Sequence, residues 1–150
     1  MLRRLCAALL VWGGIVMAGA AQAGTSSPTG RWLTASRDAV ISIAPCGNGL
    51  CGHIAGIKLD NPTDPQPLDW RGQPQCGDDI IAMTPTDSPD KWHGTITDPR
   101  NGSVWQATLT IRDGALHLRG YVGVPLFGET QTWTRYGGQI STGCLITVAG

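Results

Sequence analysis

The sequence predicts an all-β fold, a small up-and-down antiparallel β-barrel of about eight strands; an open two-sheet sandwich is the other arrangement the same strands allow. Three observations carry this expectation. From Gly30 onward apolar and polar residues alternate with a period near two, the mark of strands with one buried face, and helical spacing is not sustained anywhere in the mature chain. The 150 residues include 21 Gly and 10 Pro, which break the alternation at intervals and favour short elements over long helices. Several of the breaks are hairpin turns, and hairpins joining consecutive strands give a meander that closes on itself and removes its sticky edges.

The chain opens with a segment of another kind. Residues 1–4 carry two positive charges, residues 5–21 form an uncharged apolar run, and Ala21-Gln22-Ala23 offers the small residues of a signal-peptidase site. A cleavable signal peptide ending at Ala23 is therefore expected, leaving residues 24–150 as a single barrel domain with a Gly-rich C-terminal tail. A retained membrane anchor is the competing reading, because the run approaches the ~20 residues of a span. Gly13, Gly14, Gly19 and the Ala-x-Ala ending weigh against it. The mature chain is expected to have no membrane span and to be periplasmic or secreted.

In order, the expected strands cover residues 30–34, 39–44, 51–58, 79–83, 91–98, 103–111, 115–122 and 129–136. Asn48-Gly49 marks the turn before the third, Asn101-Gly102 follows Asp98-Pro99, and Asp113-Gly114 joins two apolar strands through residues that tolerate positive φ. Residues 59–78 are too long for a turn and hold Pro62, Pro65, Pro67 and Pro74, so neither helix nor strand runs through them comfortably. The acids Asp60, Asp64 and Asp69 lie in this stretch, but their spacing does not match a calcium loop. The tip at residues 124–127 is apolar where a hairpin tip is ordinarily polar, and the tail after Tyr136 reads as a frayed end or a late edge strand.

Of five cysteines, Cys6 leaves with the signal peptide, and Cys46, Cys51, Cys76 and Cys144 remain. An even number in an exported chain points to disulfides, and there is no C-x2-C or adjacent His pair to favour zinc. Cys51 with Cys76 is the expected pair: each is followed by Gly, and both flank the long connection. Cys46 with Cys51 across the Asn48-Gly49 turn is the rival.

Charge and motifs narrow the function. The full chain balances 11 Lys+Arg against 11 Asp+Glu, and losing Arg3 and Arg4 leaves a mature net charge near −2. That is no footprint for nucleic acid. There is no G-x-S-x-G, phosphate loop, dinucleotide fingerprint or haem motif. His53, His93 and His117 fall on separate strands beside apolar neighbours with the stronger claim on the interior, while Asp98, Asp113 and Glu129 fall at turns and strand ends. No metal site, cofactor or catalytic residue is assigned, and the chain leans away from being an enzyme.

Gly30-x-Trp32 opens the first strand and Thr132-Trp133-Thr134-Arg135 closes the last. In a barrel these strands are neighbours, so Trp32, Trp133 and Arg135 are candidates for a structural seal in which the guanidinium stacks on an indole. The pattern resembles the calycins, the group of lipocalins and avidins. A more specific resemblance spans most of the mature chain. Gly30-x-Trp32, Cys46-Gly47-x-Gly49-Leu50-Cys51-Gly52, Asp60-Asn61-Pro62, Cys76-Gly77, Trp92-x-Gly94, Asp98-Pro99 with Gly102, and Arg119-Gly120-Tyr121-Val122-Gly123 leading to Thr130 through Arg135 resemble an exported bacterial family. That family is catalogued as domain of unknown function 2147. The resemblance implies no activity or catalytic residues, and its pattern ends near Arg135, leaving Cys144 and the tail outside.

Binding is the function class with most behind it. Trp32, Trp70, Trp92, Trp105 and Trp133 are five large rings in a domain with one Phe, and small barrels line ligand cavities with such rings. In an even meander the long connection and the 124–127 tip share one mouth. Trp70, Arg119, Tyr121, Phe127 and Gln131 are therefore the candidate ligand-binding residues for a small apolar or amphipathic molecule. The alternative is an envelope-associated interaction module with a filled barrel, and an enzyme of unknown class comes third.

Overall fold

The computed structural model describes residues 27–124 and 128–148. The expected signal peptide and Phe127 lie outside the described residues. Eight strands form in the expected order: β1 (Gly30–Leu33), β2 (Ala39–Cys46), β3 (Gly49–Ile57), β4 (Asp79–Pro85), β5 (Lys91–Thr97), β6 (Val104–Arg112), β7 (Ala115–Tyr121) and β8 (Glu129–Arg135). Each pairs antiparallel with the next, and β8 returns to β1 through Trp32↔Arg135 and Leu33↔Thr134. The sheet is thus a closed barrel, not an open sandwich.

Alternation decides which residues fill it. Trp32, Ile41, Ile43, Leu109 and Leu116 are fully buried, and with Leu50, Ile54, Ile81, Met83, Leu118 and Trp133 they make one continuous core inside the wall. Asp113 and Gly114, at φ of 51° and 73°, form a two-residue turn whose twist matches the strands it joins. The β2–β3 turn sits one residue earlier than expected. Gly47 takes the left-handed position at φ 55°, and Gly49 instead pairs with Cys46 inside the ladder. A Cβ on Gly49 would lie 2.0 Å from the Met83 carbonyl oxygen, so the residue is glycine because β4 passes close by.

The barrel has one sealed end. Trp32 Nε1 donates to the Pro28 carbonyl at 2.7 Å, and the Arg135 guanidinium stacks 3.9 Å from the Trp32 ring centroid. Arg135 Nη1 also donates to the Thr29 carbonyl at 2.6 Å, and its Nη2 donates to that of Ser27. The β2–β3, β4–β5 and β6–β7 hairpins lie at this end. The other four connections, including the long residues 58–78, gather at the opposite end, the mouth.

The disulfides correct the expected pairing. Cys51 does not bond Cys76; the bridges are Cys46–Cys51 and Cys76–Cys144. Cys51 lies near the β2–β3 hairpin at the sealed end, whereas Gly77, next to Cys76, donates to Ile54 at 2.8 Å near the mouth. Three residues of strand, roughly 10 Å, separate the two levels, beyond the ~7 Å Cα separation a disulfide bridges. Cys76 finds its partner in the tail. Leu145 makes a parallel bridge to Ile57, and Ile146 packs with Leu33 and Val40 on the outer surface of β1–β3. A Cβ on Gly56 would lie 2.5 Å from Ile146 Cγ2, so this glycine opens the place where the tail rests.

Candidate functional site

The mouth is built mainly by the long connection folding back on itself. Leu68 and Pro74 form a bridge, Gly72 donates to the Asp69 carbonyl at 3.0 Å, and Gly72 supplies the positive φ of 78° that the reversal needs. The reversal presents Trp70 to the β5–β6 hairpin: Trp70 N–H donates to the Pro99 carbonyl at 3.1 Å, and the indole lies over Gly102, where a Cβ would meet three ring atoms at 3.0 Å. Arg71 also lies over the Trp70 ring, 4.6 Å from its centroid.

Beside Trp70 an ionic cluster of two buried carboxylates and the half-exposed Arg71 fixes the loop to the start of β4. Arg71 Nε donates to Asp69 Oδ2 at 2.8 Å and Arg71 Nη2 to Asp78 Oδ1 at 2.8 Å, while the N–H groups of Arg71 and Gln73 donate to Asp69 Oδ1 at 2.8 and 2.9 Å. Both carboxylates are buried. Burial alone would raise Asp69, but the hydrogen bonds from Gln73 and Arg71 outweigh it and hold its carboxyl below the usual carboxylate range. Asp78 goes the other way. Burial and the Asp69 charge beside it push its carboxyl up against the pull of Arg71, and its Oδ2 is buried without a hydrogen-bond partner among the described residues. Cys76, two residues before Asp78, ties the same segment to the tail.

Exposed apolar residues concentrate at this end. The large hydrophobic side chains left exposed among the described residues are Leu68, Trp70, Val104, Trp105, Val122 and Val124, and all six belong to the mouth connections or the strand ends beside them. Trp105 pairs with Ile96 on the inward-facing row yet remains 43% exposed, so its indole stands in the opening. Gly120 continues the inward row of Leu116 and Leu118, and no described atom lies within 4 Å of where its Cβ would be. Ala107 and Gly120 pair on this inward row, two residues from Trp105 along β6.

The sequence candidates divide between the mouth and elsewhere. Trp70 is at the mouth, and Gln131 faces inward on β8, where its Oε1 accepts from Trp133 Nε1 at 3.0 Å. Arg119 and Tyr121 alternate with the inward Leu118 and Gly120 and so face outward; Arg119 Nη1 donates to Thr130 Oγ1 at 2.9 Å. Trp105, Val104 and Val122 at the mouth, and Asp78 beneath it, were not singled out from sequence. Trp105 was visible as one of five indoles, but its exposure depends on the neighbouring loop. His53, His93 and His117 all face outward, and among the described residues no group of His, Cys, Asp or Glu is placed to hold a metal ion.

A family model described as an uncharacterized protein conserved in bacteria (DUF2147) matches residues 30–135. The chain belongs to this family. The DUF2147 match begins at the first residue of β1 and ends at the last of β8, so it covers the closed barrel, while Cys144 and the tail lie beyond it. No curated protein and no solved structure matches the chain.

Proposed function

We propose that this DUF2147 protein is an exported binding module that takes a small apolar or amphipathic molecule at the mouth of a filled barrel. The observation that carries the reading is the gathering of Leu68, Trp70, Val104, Trp105, Val122 and Val124 at one end, over an interior already packed with Trp32, Leu109 and Trp133. Apolar side chains left exposed together at one end of a folded domain are the kind of surface that binding sites use. The ligand's apolar part rests on Trp105 and Trp70, and Gln131 and Glu129 orient its polar end. The two disulfides and the N-terminal leader support export to the periplasm or the medium. A second reading, an envelope protein docked on the same rim, draws on the prominence of Val122, which is 71% exposed.

Native mass spectrometry of protein purified from its own host tests the proposal. A small molecule retained by the wild type and lost from Trp105→Ala supports it. A stoichiometric protein partner in place of that molecule favours the second reading, and bare polypeptide mass for wild type and variant alike overturns both.

A further inference from the structure

The long connection sets two buried carboxyls against one cation. Asp69 and Asp78 are 6% and 7% exposed, and both meet the same guanidinium: Arg71 Nη2 lies 2.7 Å from Asp69 Oδ2 and 2.8 Å from Asp78 Oδ1. Asp69 is satisfied further by the N–H groups of Arg71 and Gln73. Asp78 is not, since its buried Oδ2 has no hydrogen-bond partner among the described residues. Such an oxygen is far less unfavourable protonated than as part of an anion. The remaining charged groups of the elements packed here are turned to solvent or to each other. Asp79 on β4 and His53 on β3 are exposed, Asp98 and Arg100 at the β5–β6 hairpin pair at 2.7 Å, and residues 136–148 of the tail carry no charge.

The fold also decides which part of the connection is free to respond. Residues 75–78 are anchored by the Cys76–Cys144 bond, by Gly77 N–H donating to the Ile54 carbonyl at 2.8 Å, and by Ile54 N–H donating to the Asp78 carbonyl at 3.0 Å. On the other side Leu68 bridges Pro74, and Gln75 N–H donates to the Pro67 carbonyl at 3.0 Å. Between these anchors, residues 69–73 are fastened by the Arg71 ion pairs and by Trp70, whose N–H reaches Pro99 and whose indole covers Gly102.

We propose that Asp78 is a proton-operated latch on the mouth. Protonated, it leaves Arg71 and Asp69 to hold the reversal down with Trp70 over Gly102; ionised, it opposes Asp69 across a single guanidinium and releases residues 69–73. The latch does not depend on what the mouth binds. Its direction follows from linkage. An open loop returns Asp78 toward its ordinary value near 3.8, so the open population rises as pH climbs above that value and levels off once the closed form ionises too. Asp69, lowered in the closed form, acts below that value and leaves the window above it to Asp78.

Amide hydrogen exchange on the mature chain without added ligand tests this, read as protection factors from about pH 4 to about pH 8. The expected result is a loss of protection at Trp70, Gly72 and Gln73 of at least about tenfold, saturating with pH, while Gly77 and Ile54 keep theirs. Asp78→Asn keeps an oxygen for Arg71, and Asp69→Asn leaves the guanidinium to Asp78 alone; each is expected to abolish the pH dependence. Protection at Trp70, Gly72 and Gln73 that does not vary with pH, a loss shared by Gly77 and Ile54, or a pH dependence that survives in Asp78→Asn overturns the proposal.

Discussion

At the scale of single residues, the contact of Trp32 with Arg135 shows how two ends of a sequence become one structure. The pairing of β1 with β8 puts them in register, and the stacked guanidinium loses enough water that its pKa is lowered by burial. Trp32→Ala removes a fully buried indole and is expected to cost about 3–5 kcal/mol in urea unfolding. Arg135→Lys should also lower the melting temperature, because an ammonium has no planar face to stack. This contact was legible in the sequence because barrel closure alone makes the first and last strands neighbours. The Asp69–Arg71–Asp78 cluster was not, since it depends on a reversal inside a long loop.

That cluster has a pH signature with a definite sign. Asp69, lowered in the folded protein, contributes stability that is present above its unfolded value near 3.8 and lost as pH falls through its lower folded value. Asp78, raised, favours the fold in its protonated form; that contribution is present at low pH and is lost as pH rises through the raised value. Asp78→Asn keeps an oxygen for Arg71 and removes the titration. Urea unfolding from about pH 7 down to about pH 4 should show the wild type gaining stability relative to Asp78→Asn as the raised group takes up its proton. A stability difference independent of pH would refute this assignment.

At the scale of elements, the strands were legible from alternation and their order from the hairpins, whereas the crosslinks were not. Flanking a loop made Cys51 and Cys76 look paired, but sequence could not show that they sit at different levels of β3 or that the tail returns along β1–β3. The bridges differ in worth. Loop entropy assigns about 4 kcal/mol to closing the 68-residue separation of Cys76–Cys144 and about 2 kcal/mol to the 5-residue separation of Cys46–Cys51. Cys144→Ser is therefore expected to destabilise more than Cys46→Ser in denaturant unfolding, and non-reducing peptide mapping should recover both bridges. Gly56→Ala tests the tail separately. The added methyl collides with Ile146, so amide exchange should accelerate at residues 144–146 and stay unchanged in β5–β8.

At the scale of the whole molecule, the barrel uses its interior for stability and its mouth for apolar exposure. The five indoles suggested a lined cavity, yet Trp32 and Trp133 are core, Trp92 packs against it, and Trp70 and Trp105 stand at the opening. Arg119 and Tyr121 were assigned to the ligand for lying near the mouth along the chain, but the alternation that puts Leu118 and Gly120 inside turns both outward. The one-mouth arrangement was legible, because an even meander puts alternate connections at the same end. Hydrogen exchange during titration with dodecanoate is the most direct test of a filled barrel that binds at its mouth. Slowed exchange in the 58–78 and 98–103 connections and at Trp105, with β1–β3 unchanged and the effect absent from Trp105→Ala, is the result expected. Protection spread through β1–β3, or no protection at any concentration below micelle formation, would contradict it.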